Sequence, residues 1–155
     1  MEDDGGRAPG DGTGIIRSAW IGTGVFLVAV AVGVALPVAR LPLVFFDLGL
    51  FFAGCGLFMW ALVVAAARSR QREIGLWNLF LLEGVAPGRV RRAVLGALAV
   101  EIVVALGTAW ITAAMAFGCL VPMWGLGHCG LWGARYGAFG PREPGPGRRG
   151  QAGRA

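Results

Sequence analysis

The sequence has few charged residues and no lysine. Only 15% of its residues are charged and 56% are hydrophobic, whereas ordinary soluble domains carry about 25% charged residues. A soluble fold of 155 residues could not bury so much apolar surface, which excludes an ordinary soluble domain and points to a lipid bilayer as the solvent. All 14 basic residues are arginine, and the 27 glycines suit close packing of membrane helices.

Cysteine and histidine are too few and too scattered for a metal site or a disulfide framework. Cys55, Cys119 and Cys129 all lie within apolar runs, no C-x-x-C motif occurs, and His128 is the single histidine. The sequence also contains no recognisable Ser/His/Asp set and no phosphate-binding loop. It therefore predicts no metal, no cofactor and no enzymatic activity.

Long apolar runs predict an all-α polytopic membrane protein with four transmembrane helices. The last apolar stretch, residues 93–134, would be about 63 Å long as one helix, roughly twice the thickness of a hydrocarbon core. We therefore expect it to fold back on itself around residues 107–112. The predicted spans are 18–39, 43–67, 88–108 and 113–134.

The transmembrane domain is predicted to cover residues 15–140. The segments on either side, 1–14 and 141–155, are rich in glycine and charged residues, and the second also in proline. Both show no apolar periodicity and are expected to be disordered tails.

A shorter apolar segment, residues 73–86, separates the second and third spans. It is too short to cross a bilayer. We expect a short interfacial helix on the cytoplasmic side, with Trp77 and Phe80 entering the lipid. Packing beneath the bundle is the alternative.

The arginines predict the orientation of the bundle, because cationic loops stay on the cytoplasmic side. With four spans, every arginine except Arg40 lies on one side, whereas three spans would move the C-terminal arginines across. We therefore predict a protein of the bacterial plasma membrane with both termini in the cytoplasm. The arginines flank apolar spans, which favours anionic lipids rather than nucleic acid as partners. The predicted lipid contacts are Arg68, Arg70, Arg72, Arg89, Arg91 and Arg92.

Ionisable residues inside the spans are the candidates for function, since lipid makes them costly unless they face a partner or water. Asp47 and Glu101 both fall in the outer half of the predicted membrane and form a candidate proton or cation site. The alternative is that they only fix helix contacts. His128 lies in the inner half and is a candidate proton relay, although a lone histidine is more often a hydrogen-bonded packing residue.

Small residues recur along one side of the fourth span. Their spacing of three or four positions predicts a helix-packing groove, in which the proline should kink the helix. The groove consists of Ala114, Gly118, Pro122, Gly125, Cys129 and Gly133.

Two segments carry a resemblance to known proteins: REIGLWNLFLLEGVAPGRVRR (72–92) and FGCLVPMWGLGHCGLWGARYGAFGPR (117–142). They resemble small four-pass integral membrane proteins of high-GC bacteria whose function is unassigned. The resemblance implies a four-pass fold and brings no activity and no catalytic residues.

Two functions remain compatible with the sequence. The first is a non-enzymatic accessory, scaffold or interaction subunit, with the lipid bilayer and either a second copy or another membrane protein as partner. The second is a small proton- or cation-coupled transporter or channel that uses the intramembrane carboxylates.

Overall fold

The computed structural model describes residues 12–140, apart from residues 71 and 73. The tails predicted to be disordered therefore lie outside the described residues, except that the first helix already begins at Thr13. The α-helices are α1 (Thr13–Ala35), α2 (Arg40–Arg68), α3 (Leu76–Leu81), α4 (Gly88–Ala109), α5 (Ala113–Ala116) and α6 (Pro122–Tyr136).

Four helical segments are long and apolar enough to cross a membrane, which makes the chain a multi-pass membrane protein with four candidate spans. This confirms the predicted all-α fold with a short helix, α3, between the second and third spans. The candidate spans are Thr13–Ala35, Pro37–Arg68, Gly88–Ala109 and Ala113–Tyr136.

The first two spans are joined by a very short corner. Leu36 adopts an extended conformation that ends α1, and Pro37–Ala39 form a 3₁₀ turn that leads directly into α2. Proline suits the first position of a helical turn, because its ring fixes φ and its missing N–H would have no partner there. The Arg40 Nε–H donates a hydrogen bond to the Gly33 carbonyl oxygen at 3.0 Å and ties the corner together.

The chain reverses between α4 and α5, within the region where a turn is predicted. α4 ends at Ala109, and the backbone N–H of Met115 donates to the Thr112 side chain, which caps the N-terminus of α5. Trp110, at the turn, is 92% exposed. An exposed indole at the end of two spans is typical of a membrane interface.

The fourth span is not one continuous α-helix. α5 is followed by a 3₁₀ turn at Phe117–Leu120, and Pro122 then occupies the first turn of α6. A proline inside a regular helix would lose a backbone hydrogen bond and clash with the preceding turn. Where the sequence predicts a kink, the helix changes from α to 3₁₀ over Phe117–Leu120, and the α-helix resumes at Pro122.

α6 lies at the centre of the bundle and contacts α1, α2, α3 and α4. Its most extensive contact is with α2, where two glycines bring the backbones together. A Cβ atom on Gly54 would lie 2.6 Å from the Met123 carbonyl oxygen, and one on Gly127 would lie 2.7 Å from the Gly54 carbonyl oxygen. Side chains at these positions would therefore push the two helices apart.

α3 packs against the end of the bundle. Leu79 and Leu82 are fully buried beside Gly133 of α6, and Phe80 stacks on Phe58 of α2 with ring centroids 4.8 Å apart. Trp77 is 77% exposed. Of the two aromatic residues expected to enter the lipid, only Trp77 is thus free to do so, whereas Phe80 packs against α2.

Candidate functional site

The buried centre of the bundle contains a carboxyl group that joins three helices. Glu101 on α4 is fully buried. Its Oε1 lies 2.7 Å from the Thr23 hydroxyl oxygen on α1, and its Oε2 accepts a hydrogen bond from the backbone N–H of Gly125 on α6 at 3.1 Å. Both carboxyl oxygens are therefore used in contacts between helices.

The residues that surround the Glu101 carboxyl group are small enough for the three helices to approach one another. A Cβ on Gly125 would lie 2.6 Å from Oε2 and 3.1 Å from Leu98 of α4, so only glycine lets the α6 backbone approach the carboxyl group. Thr23 is also fully buried, and its short side chain places a hydroxyl at the helix surface. Sequence reasoning missed Thr23 because it belongs to a different helix and lies 78 positions from Glu101.

The protons of this cluster can be counted. Thr23 Oγ1 lies within hydrogen-bond distance of both Glu101 Oε1 and the Ala19 carbonyl oxygen, at 2.7 and 3.0 Å. A hydroxyl group carries one proton and can donate only one such bond. If Glu101 is the neutral acid, its O–H donates to Thr23 and the Thr23 proton goes to Ala19, so both contacts are hydrogen bonds. The geometry thus accommodates a proton on Glu101 and leaves neither of its oxygens without a partner.

A second polar contact joins α1 and α6 about one and a half turns closer to the start of α1. His128 is 2% exposed; its Nε2 lies 2.9 Å from the Ser18 hydroxyl oxygen and its Nδ1 lies 2.9 Å from the Trp124 carbonyl oxygen. Because a carbonyl oxygen only accepts, Nδ1 carries a proton. In a neutral His128, Nε2 is then the acceptor for the Ser18 O–H. The Ser18 hydroxyl oxygen also lies 2.9 Å from the Ile15 carbonyl oxygen, and its one proton can be donated to only one of these two acceptors.

The Ser18–His128 pair has the connectivity of a nucleophile and a base, but its surroundings favour packing. The ring of Trp124 lies against His128, with centroids 4.5 Å apart, and the buried imidazole is inaccessible to a substrate unless helices separate. Cys129, the next residue, is fully buried in the core. Sequence reasoning did not find this pair, since the two residues are 110 positions apart.

Asp47 occupies a different environment. It is 7% exposed and lines a cavity of about 10 Å³, together with Leu43, Met115 and Gly118. A cavity of this size holds about one water molecule. Among the described residues, none forms a hydrogen bond or an ion pair with the Asp47 carboxyl group.

The structure does not bring the two candidate carboxyls together. Phe26, Ala105 and Val121 form a small buried cluster. Phe26 lies about one helical turn after Thr23, Ala105 one turn after Glu101, and Val121 one turn before Gly125. In each case the step leads away from the Glu101 contacts and toward Gly118 and Asp47. An apolar layer therefore lies between the level of Glu101 and the level of Asp47.

The arginines between α2 and α4 have unequal roles. Arg68 donates hydrogen bonds to the carbonyl oxygens of Ala134 and Gly137, the second at 3.3 Å, and Arg72 donates to that of Phe139 at 2.7 Å. Arg68 holds the C-terminal end of α6 against the end of α2, where its charge also matches the negative end of the α6 dipole. Arg72 holds the segment that follows α6.

The side chains of the other predicted lipid contacts form fewer hydrogen bonds within the described chain. The Nε–H of Arg92 donates to the Gly88 carbonyl oxygen one turn earlier, at 3.2 Å. The side chains of Arg70, Arg89 and Arg91 make no hydrogen bond or ion pair with any described residue. These guanidinium groups are the ones available to a partner.

The predicted groove of small residues faces several helices in turn. Gly118 adjoins Phe26 and Asp47, Gly125 adjoins Glu101, and Gly133 adjoins α3. Cys129 is buried in the core, and Ala114 and Pro122 are half-buried.

A second set of glycines, missed from the sequence, faces α2. Gly127 lies against Leu57, and Gly130 against Ala61 and the Phe80 ring. Gly127, Gly130 and Gly133 recur at every third residue, and this spacing is the feature of the sequence that could have identified the second set.

The described residues include no group of three or more histidine, cysteine, aspartate or glutamate side chains that could hold a metal ion. Comparison with protein-family models, with curated proteins and with solved structures gives no match for this chain. The similarity to small four-pass proteins of high-GC bacteria therefore identifies no family.

Proposed function

We propose that this chain is a non-enzymatic accessory or scaffold subunit of a bacterial plasma membrane. The observation that carries the proposal is the use of Glu101: both carboxyl oxygens contact other helices, and the residue is fully buried. Intramembrane carboxylates usually indicate function, but this one has the surroundings of a packing contact.

The Ser18–His128 contact supports the same interpretation. It also joins α1 to α6. Both ring nitrogens of the single histidine have hydrogen-bond partners, Nε2 with Ser18 and Nδ1 with the Trp124 carbonyl oxygen. The ionisable groups nearest the bundle axis thus hold α1, α4 and α6 in register. A rigid bundle of this kind is suited to presenting its ends to a partner protein.

The proposed orientation follows from the arginines. The end of the bundle formed by the start of α1, the end of α2, the start of α4 and the end of α6 holds the arginines of the described chain except Arg40. We place this end, called here the arginine end, in the cytoplasm. It also carries α3 with its exposed Trp77, which is the apolar side chain best placed to contact a partner there.

Site-specific photo-crosslinking in native membranes tests the accessory role. A photoreactive residue is placed at Trp77 and, as the matched control, at the exposed Trp110 of the opposite end. We expect one discrete protein adduct from position 77 and only lipid adducts from position 110. If both positions give lipid adducts alone, the accessory role is wrong.

Asp47 supports a second candidate, a small proton- or cation-coupled transporter or channel. It is a buried carboxyl group without a partner among the described residues, and it borders a cavity. Ion or proton flux into liposomes separates the two functions, with native protein compared with Asp47→Asn and Glu101→Gln. The accessory role predicts no flux from any of the three, whereas flux that is lost in Asp47→Asn would establish transport.

A further inference from the structure

We propose that an open cavity at the arginine end binds one anionic phospholipid, with the phosphate between Arg89 and Arg135 and an acyl chain along the apolar wall. This binding site does not depend on the accessory role. It also differs from a general attraction of the basic loop for the membrane surface, because it assigns binding to two arginines and one cavity.

The cavity is formed where all four spans meet the arginine end. It has a volume of about 1010 Å³ and lies between the start of α1, the end of α2, the start of α4 and the end of α6. The segment between α3 and α4 closes one side with Val85 and Pro87. This volume is at the upper end of the range of about 300–1,000 Å³ for small-molecule sites, so an inorganic phosphate ion would leave most of it empty.

The charged lining of the cavity is of one sign. Arg68, Arg89 and Arg135 line it, and the described lining residues include no aspartate or glutamate. The Arg68 guanidinium already donates to two carbonyl oxygens of the chain. Arg89 and Arg135 are exposed, and their guanidinium groups make no hydrogen bond or ion pair with any described residue. They therefore offer two guanidinium groups, whose planar donor pairs match phosphate oxygens.

Most of the remaining wall is apolar. Ile16 of α1 and Val90 of α4 line it together with Trp132 and Tyr136 of α6, whose ring centroids are 5.8 Å apart. A soluble anion gains nothing from such a wall. A molecule with a phosphate at one end and a hydrocarbon chain at the other satisfies both parts of the cavity.

The position of the cavity selects the membrane as the source of that molecule. Four spans end around it, so it opens at the depth where lipid head groups and the tops of acyl chains lie. Basic pockets between transmembrane helices on the cytoplasmic side are known binding sites for anionic head groups. The ligand class that fits is an anionic glycerophospholipid such as phosphatidylglycerol.

Native mass spectrometry of the purified full-length protein in detergent tests the site. The probes are dioctanoyl phosphatidylglycerol, dioctanoyl phosphatidylcholine and glycerol 3-phosphate. We expect one phosphatidylglycerol bound per chain, with at least tenfold weaker binding of the other two. Arg89→Gln with Arg135→Gln should weaken phosphatidylglycerol binding about tenfold or more, which corresponds to about 1.4 kcal/mol.

The matched control is Arg17→Gln with Arg70→Gln, which removes the same charge from exposed arginines outside the cavity. It should leave binding within about twofold, and thermal unfolding of both double variants should show that they are folded. Equal binding of phosphatidylcholine, or equal weakening by the two double variants, overturns the site. Binding of glycerol 3-phosphate as tight as that of the lipid overturns the role of the apolar wall.

A failure of the native protein to bind phosphatidylglycerol also overturns the proposal. In that case, neutralising Glu2, Asp3 and Asp4 in the full-length chain reveals the competing occupant. Binding that appears only in the neutralised variant would show that the acidic N-terminal segment fills the cavity instead of a lipid. These outcomes are independent of the crosslinking at Trp77, so the two proposals can fail separately.

Discussion

Thr23 of α1 and Glu101 of α4 lie with their side-chain oxygens 2.7 Å apart inside the bundle, and neither side chain is exposed. The distance is typical of an O–H···O hydrogen bond. It fixes the rotation of two helices that are otherwise apolar on nearly every side. The same carboxyl group also holds the backbone of α6 through Gly125.

Glu101→Gln should leave the stability of the bundle nearly unchanged. The glutamine N–H can donate to Thr23, and its carbonyl oxygen can accept from Gly125, as in the neutral acid. Glu101→Leu is the matched comparison and should lower the free energy of unfolding by about 1–2 kcal/mol. Reversible unfolding in mixed micelles measures both. Equal destabilisation by the two substitutions would show that the negative charge is needed and that the neutral arrangement is wrong.

Ser18 and His128 should be energetically coupled. Ser18→Ala removes a partner of the imidazole, so its cost should be larger in the native background than in a His128→Leu background. The difference expected for one hydrogen bond between membrane helices is about 0.6 kcal/mol. A double-mutant cycle on unfolding free energies measures it. Additive effects of the two substitutions would contradict the hydrogen bond.

Gly54 and Gly56 lie on the same helix and should respond in opposite ways to alanine. A Cβ on Gly54 would collide with the α6 backbone, 2.6 Å from the Met123 carbonyl oxygen. One on Gly56 would lie more than 4 Å from every described atom outside its own stretch of helix. Gly54→Ala should lower the unfolding free energy by about 1–3 kcal/mol, and Gly56→Ala should leave it unchanged or raise it slightly. Thermal unfolding in detergent distinguishes them, and equal effects would mean that α2 and α6 are farther apart than described.

Arg68→Gln should loosen the segment that follows α6. Arg68 donates to the Ala134 and Gly137 carbonyl oxygens, and the Ala138 N–H donates to the Val85 carbonyl oxygen at 3.0 Å nearby. Without the guanidinium we expect the Ala138 amide hydrogen to exchange faster by about tenfold, the equivalent of about 1.4 kcal/mol of local opening. Arg70→Gln is the control, since Arg70 is exposed and its side chain makes no hydrogen bond with the described part of the chain. Similar exchange in both variants would refute the anchoring role.

The C-terminus should lie in the cytoplasm. A fluorescent protein that folds only in the cytoplasm should fluoresce when fused there, and a phosphatase that is active only outside should be inactive. The reverse pattern would contradict the orientation predicted from the arginines. Fusions placed after Trp110 serve as the control, because they should behave in the opposite way.

The number of spans could be predicted because lipid imposes it. A hydrocarbon core about 30 Å thick requires about 20 apolar residues per helix, and the stretch at 93–134 was too long for a single crossing. The place of the chain reversal followed from the same length argument. No detail of helix packing is needed for either conclusion.

The contacts of the candidate site could not be predicted, because they depend on helix rotation. A membrane helix that is apolar all round gives no periodic signal for the face that meets its neighbours. Thr23 and Ser18 could therefore not be assigned to Glu101 and His128, which lie 78 and 110 positions away. The glycines of α6 illustrate the same limit: one stripe was found, yet glycines on other sides, Gly127 and Gly130, contact α2.

The central position of α6 has a consequence for synthesis of the protein. This helix is the last of the described helices to leave the ribosome, yet half of the fourth span is buried, against 17–28% for the other three. The first three spans are therefore made before α6, which is the main packing partner of α2, and Glu101 is in the membrane before Gly125. Assembly of the bundle is then completed only after the chain has been made through Tyr136, so a chain cut short before α6 would lack the helix that contacts α1, α2, α3 and α4.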